Sequence, residues 1–336
     1  MVLRWFDGGE VWGHTTYQLR AYLQSDAAAA TPGRIAPGLY HLSVPSGSMT
    51  TPSLGVQNTW FSGFGVRNLG SNWRYEALKG AAPQCHLEFE TTTGSLGVFK
   101  LYRGATLIDT STEFTAGVIW GFVELEITAR TGVNGSYEVW LNQISIMSGT
   151  GVNLADSGTD GVDAFSVGNG TSFKLDDWYI LDTTGSLNNT RLGEQVCVGI
   201  FPTAEGHQID FTPSTGTDNS ALVDDGPLNP NDADYVSSSV VNHEDYYAYE
   251  NMPATGIGTI NGLRITHGAK LDTAGTRTVQ ARYYNGSVEY DLGGDFVVDG
   301  TTIFEHTSLV DVNPDTGVKW TSVEVDAAEF GMKVTI

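Results

Sequence analysis

Paired acids at alternating positions are the residues in this chain whose types and spacing first suggest chemistry. Glu124 and Glu126 stand two apart with Thr128 next, and Glu88 and Glu90 repeat the arrangement with Thr92 next. Two carboxylates flanking a scissile bond are the working groups of glycoside hydrolysis, one as acid and one as base or nucleophile. A solvated strand face also alternates acids this way, and that is the expectation for Glu124 and Glu126. No residue is assigned a catalytic role, and the chain is expected not to be an enzyme.

A second set is suited to a cation. The run 156–163 carries Asp156, Asp160 and Asp163 in a Gly-rich loop, and Asp177 follows in a later strand. Calcium takes six to eight oxygens from such loops. The spacing is not that of an EF-hand, because Gly158 replaces an acid and Val167 stands where the bidentate Glu belongs. Asp156, Asp160, Asp163 and Asp177 are the candidate calcium ligands. They are set against an acid-rich turn with Asp177 accepting from backbone amides, which is the preferred reading; no other cofactor is expected. Asp224, Asp225, Asp232 and Asp234 read the same way. The histidines, at 14, 41, 86, 207, 243, 267 and 306, form no short-spaced pair for zinc or a triad.

Trp120, Trp140 and Trp178 are the candidate binding or interface aromatics. Exposed Trp serves a sugar platform or an oligomer interface equally well, and packing within the fold or against a partner is the expectation.

The elements that must position these groups are strands. Val123, Leu125 and Ile127 alternate with Glu124, Glu126 and Thr128, and Tyr137, Val139 and Leu141 alternate with Glu138, Trp140 and Asn142, so each strand has one buried face. Asn134-Gly135 and Asn285-Gly286 predict hairpins, which also accounts for the Asn-x-Ser sequences ending at Ser136 and Ser287. Val, Thr, Tyr and 41 glycines dominate among 336 residues, of which only 17% are charged, and the chain reads as all-β. The length predicts two domains. A polar stretch through Asp182–Asn189 separates them, giving 1–185 and 194–336, each a β-sandwich. A strand is expected over Gln195–Ile200, a helix-compatible piece at Tyr17–Asp26 and one helical turn at Ala327–Phe330. Cys85 and Cys197 are expected as thiols in different domains.

The formal net charge is −22, which excludes a phosphate-binding surface, so no nucleic-acid partner is expected. No run approaches the roughly 20 apolar residues of a membrane span. An acid at Asp7 precedes any apolar run, so no signal peptide is read.

Two resemblances add to this reading. Val98–Gly104, Trp120–Thr128, Gly135–Asn142 and Leu175–Ile180 resemble the concanavalin-A-like, laminin-G-like jelly rolls, over roughly residues 1–185. The resemblance implies a jelly roll for the first domain. Some members are glycosidases with acids at i, i+2 and i+4, and here the third acid is missing from both stretches. Others bind calcium at loop rims. Asp232–Ser237, Asn313–Thr321 and Val325–Gly331 resemble a C-terminal β-domain of tailed-bacteriophage virion proteins. This implies a virion structural component of tail, baseplate, fibre or capsid decoration, made in the bacterial cytoplasm. Its partners would be other virion proteins and copies of itself, with a trimer plausible. The alternative is an adhesin for a host-surface glycan, with or without calcium.

Overall fold

The computed structural model describes residues 3–7, 28–30, 41–44, 48–67, 73–94, 96–116, 120–168, 173–225, 231, 233–254 and 258–336. The helix-compatible piece at Tyr17–Asp26, His14 and Asp232 lie outside them. The described residues fall into two compact units, up to Cys197 and from Val198 onward. Both cysteines therefore belong to the first unit, not to different domains.

In the first unit the strands are β1 (Leu3–Asp7), β2 (Ala28–Ala30), β3 (His41–Val44), β4 (Ser48–Thr50), β5 (Thr59–Arg67), β6 (Arg74–Lys79), β7 (Ala82–Thr91), β8 (Leu96–Arg103), β9 (Thr106–Thr110), β10 (Phe114–Thr115), β11 (Gly121–Thr128), β12 (Gly135–Leu141), β13 (Ile144–Val152), β14 (Ala164–Gly168) and β15 (Phe173–Asp182). One sheet runs β13-β12-β11-β5-β15-β3-β2, with β1 also on β15; the other runs β10-β8-β7-β6-β14-β4, with β9 also on β8. The two form a jelly-roll sandwich. Trp60, Phe64, Val123, Leu125, Ile127 and Trp178 face Trp73, Tyr75, Leu87, Phe89, Phe99 and Phe165, all buried. Ring contacts such as Phe64 on Tyr75 (4.8 Å) and Trp60 on Phe165 (5.5 Å) join the layers.

Alternation fixes the register of β11 and β12. Pairing Leu125 with Val139 and Ile127 with Tyr137 sends the apolar set inward, so Glu126 pairs with Glu138 and Glu124 with Trp140 on the other face. The positive φ in the intervening loop falls on Gly132 (65°) instead of the Asn-Gly pair. The next turn is tighter. Asn142 (φ 49°) and Gln143 (φ 70°) form a two-residue hairpin between β12 and β13.

The second unit contains β16 (Pro202–Ile209), β17 (Thr212–Pro213), β18 (Val236–Ser237), β19 (Glu244–Tyr249), β20 (Leu263–Ala269), β21 (Arg277–Tyr284), β22 (Glu289–Val298), β23 (Phe304–Val310), α1 (Ser322–Asp326) and β24 (Glu329–Val334). A five-stranded sheet, β16-β19-β24-β21-β22, is accompanied by the pairs β17-β18 and β20-β23. Ala281, Tyr283, Leu292, Trp320, Val325 and Phe330 form its core, against which Leu263, Ile265 and Val310 of β20-β23 pack. Asn313 and Gly317 close the turn ahead of Trp320 through a 2.8 Å bond between Gly317 N–H and the Asn313 carbonyl. The expected helical turn at Ala327–Phe330 is displaced. The helix comes earlier because Thr321 and Glu324 build a reciprocal capping box at its start. Likewise Gln195–Ile200 is not a strand, and β16 begins at Pro202.

Candidate functional site

The outer face of the eight-stranded sheet gathers the groups best suited to chemistry. Glu124 and Glu126 project from β11, Glu138 and Trp140 from β12, and Phe61 of β5 stands opposite Glu126. Tyr179 joins them through an irregularity in β15. The register with β5 shifts between Asp176 and Tyr179, and Asp177 takes φ 51°. That turns Trp178 into the core and Tyr179 outward. The Tyr179 ring lies across Gly63, where a Cβ would come within 2.6 Å of its Cζ. Only glycine leaves room for the ring there.

Glu124 is not on a solvated face, contrary to the sequence expectation. It is 1% exposed. Its Oε1 accepts from the Tyr179 hydroxyl at 2.6 Å, and its Oε2 is ion-paired with Arg191. Burial, then the adjacent Glu124 carboxylate, pushes the Tyr179 phenol well above its ordinary pKa. Arg191 also donates to Gln143 Oε1 at 3.1 Å, and its guanidinium sits 4.7 Å from the centroid of the Trp140 ring. The Leu192 N–H donates to the Tyr179 oxygen at 3.3 Å. The segment just after the polar stretch read as a domain boundary thus closes over Glu124 through Arg191.

Glu126 and Glu138 present a different arrangement. They are directly opposed across the β11–β12 ladder and half-buried. No cation among the described residues pairs with either. Desolvation, then the charge of Glu138, raises the Glu126 pKa. Like charges directly opposite in a ladder are destabilising. The other acidic stretch lacks this tension, because Glu88 pairs with Arg74 (3.0 Å) and Glu90 with Lys100.

The four candidate calcium ligands are not brought together. Asp156 lies 3.8 Å from Arg103 Nε. Asp160 accepts from the N–H and hydroxyl of Thr131 at 2.8 and 2.9 Å, bonds that lower its pKa. Asp163 accepts from Gly80 N–H at 3.0 Å. Asp177, 1% exposed, accepts from Cys197 N–H at 2.7 Å. Each carboxylate is engaged by a different partner, and among the described residues no three His, Cys, Asp or Glu side chains form a metal site.

The candidate aromatics also divide. Trp178 is fully buried, its indole N–H shared between Ser62 Oγ (3.2 Å) and Tyr75 OH (3.1 Å). It is a core residue, not a binding or interface one. Trp140 and Trp120 are half-buried. Sequence reading missed Tyr179, Gln143 and Arg191. Nothing local marks Arg191, whereas Glu138 follows from the β11–β12 register once the hairpin loop is fixed.

The fold and this face define an all-β chain of two sandwich units, the first a jelly roll. No family model and no curated protein matches it. Among solved structures it is similar to an endo-β-1,4-glucuronan lyase from Trichoderma reesei, at 14% identity and TM-score 0.37 over 54% of this chain and 96% of that one. An alginate lyase from Aplysia kurodai gives 10% and 0.39 over 54% and 100%. A tetrameric galectin from the sponge Cinachyrella gives 13% and 0.29 over 40% and 100%. Likeness at this level concerns the strand framework and carries none of their activities to this chain. It does correct the expectation that the chain is not an enzyme: polysaccharide lyases stand among its structural matches, and the exclusion is withdrawn. Among the described residues no helix is long and apolar enough to cross a membrane.

Proposed function

We propose that the first sandwich is a glycan-binding module, and that its ligand is a neutral sugar chain lying over Glu126, Glu138 and Trp140. The observation that carries this reading is the opposed Glu126–Glu138 pair, half-buried beside an indole and paired with no cation among the described residues. Sugar hydroxyls donate to carboxylates and would supply the hydrogen bonds this pair lacks, while the ring faces of a sugar suit an aromatic edge. Uronate chains fit poorly, since three acids line the face and its Arg191 is already engaged by Glu124. Titration of the protein with neutral oligosaccharides, followed by Trp fluorescence and calorimetry, tests this. Binding that falls at least about tenfold in Glu126→Gln and in Trp140→Ala supports it. Absence of binding across neutral glycans, or binding indifferent to both substitutions, removes it. Assays for newly formed reducing ends and unsaturated sugars on the same panel show whether binding leads to turnover.

A second reading is a structural part of a tailed-phage virion that assembles with copies of itself and with neighbouring virion proteins. The C-terminal resemblance supports it, as does an uncharged exposed sheet edge in the first unit. The two readings are compatible, because a virion adhesin both assembles and binds.

A further inference from the structure

The strand at one end of the eight-stranded sheet has an unusual composition for an edge. β13, Ile144–Val152, contains no charged residue and no proline. Among the described strands its only ladder partner is β12. Ile144 is 68% exposed, and Ser145, Ser148, Thr150 and Gly151 are exposed as well. Soluble proteins usually blunt such an edge with lysine, proline or an inward charge, because its free N–H and C=O groups invite another strand. The protection here is limited to two register shifts, between Gly135 and Ser136 and between Val139 and Trp140, and the stretch between them leaves Met147–Thr150 regularly paired with Val139, Glu138, Tyr137 and Ser136 on its inner side. Apolar side chains bracket the edge. Val133, before β12, is 76% exposed, and Leu107, on β9, is 49% exposed.

We infer that β13 is a self-association edge, where a second copy of this chain adds its own β13 antiparallel over Met147–Thr150. The inference rests on the assembly reading and is independent of glycan binding. Charge selects the occupant. A chain of net charge −22 repels its own copy, and a strand with no charge of its own is where two copies approach with the fewest like charges in direct contact, the nearest being Glu138 one strand away. Antiparallel self-pairing also satisfies a two-fold axis, the commonest symmetry of homo-oligomers. Pairing about an axis perpendicular to the sheet would place the Glu126–Glu138 faces of both copies on the same side.

Sedimentation of the full chain, with hydrogen exchange of the β13 amides at high and low protein concentration, tests this. A dimer whose β13 amides are protected only at high concentration, and whose dissociation constant rises at least about tenfold in the double variant Ile144→Lys/Thr150→Lys, supports the inference. Both positions are exposed, and near-ultraviolet circular dichroism confirms that the variant is folded. An unaffected dimer, with β13 exchange independent of concentration, overturns the surface and leaves the assembly reading standing. A wild-type monomer at every concentration overturns both.

Discussion

At the scale of single residues, three acids on one sheet face show how environment separates identical side chains. Glu124 is buried but carries a hydroxyl donor and a guanidinium, so its charge is matched where it forms. Glu126 is half-buried against Glu138, so its charge is opposed. Its raised pKa has a definite consequence for stability. The folded state holds the proton more tightly than the unfolded chain, whose glutamates titrate near about 4.3. The penalty is therefore complete above the raised folded value and relieved as pH falls toward the unfolded one. Glu126→Gln is expected to stabilise the chain by about 0.5 kcal/mol at neutral pH and to flatten the pH dependence over that window. Urea unfolding of both proteins at neutral and mildly acidic pH measures this. A destabilised Gln variant would mean that Glu126 has a favourable partner in the folded protein and that the opposed pair is not a strain.

At the scale of elements, pattern and register were legible and long-range closure was not. The alternation in β11 and β12 reads directly as strands, and Asn285-Gly286 makes the expected turn, with Gly286 at φ 89° and Asn285 Oδ1 accepting from Ser287 and Val288 N–H. Sequence reading missed the start of α1: the Thr321–Glu324 spacing of a capping box sets it, not the alanines that follow. The strand expected at Gln195–Ile200 fails for a tertiary reason: the Cys197 N–H is taken by the buried Asp177 carboxylate, 20 residues back. The same distance problem hid Arg191. The edge strand β16 has a comparable tie, in which His207 joins Glu329 of β24 (2.7 Å) and Glu289 of β22 (3.0 Å). Desolvation disfavours the charged imidazole, but hydrogen bonds to both glutamates and their charges prevail, and its pKa is raised. A raised histidine gives stability that is complete below the unfolded value of about 6.5 and lost as pH rises through the folded one. The chain is thus expected to lose stability on that alkaline side, by at most about 1 kcal/mol for partly exposed pairs, and His207→Gln should lack the effect. NMR titration of the imidazole checks the direction: a folded pKa at or below the ordinary histidine value would contradict the tie.

At the scale of the whole molecule, charge governs how copies meet. The sequence holds 39 acids against 17 bases, and several of those bases are engaged with acids of their own unit, as Arg191 is with Glu124 and Arg282 with Glu244, Glu289 and Asp291. The excess negative charge sets up a net repulsion between copies. Repulsion of this kind acts at long range and is screened by salt, with a Debye length of about 30 Å at 0.01 M and about 8 Å at 0.15 M. Contact through β13, which has no charge of its own, would gain nothing from salt bridges and lose nothing when they are screened. Self-association is accordingly expected to tighten as ionic strength rises over this range, because only the repulsive part weakens. An interface held by ion pairs predicts the opposite slope. Sedimentation at several ionic strengths, with pH and protein concentration fixed, separates the two. A dissociation constant that falls with salt identifies a neutral contact between like-charged bodies, whereas one that rises places the contact on charged surface and away from β13.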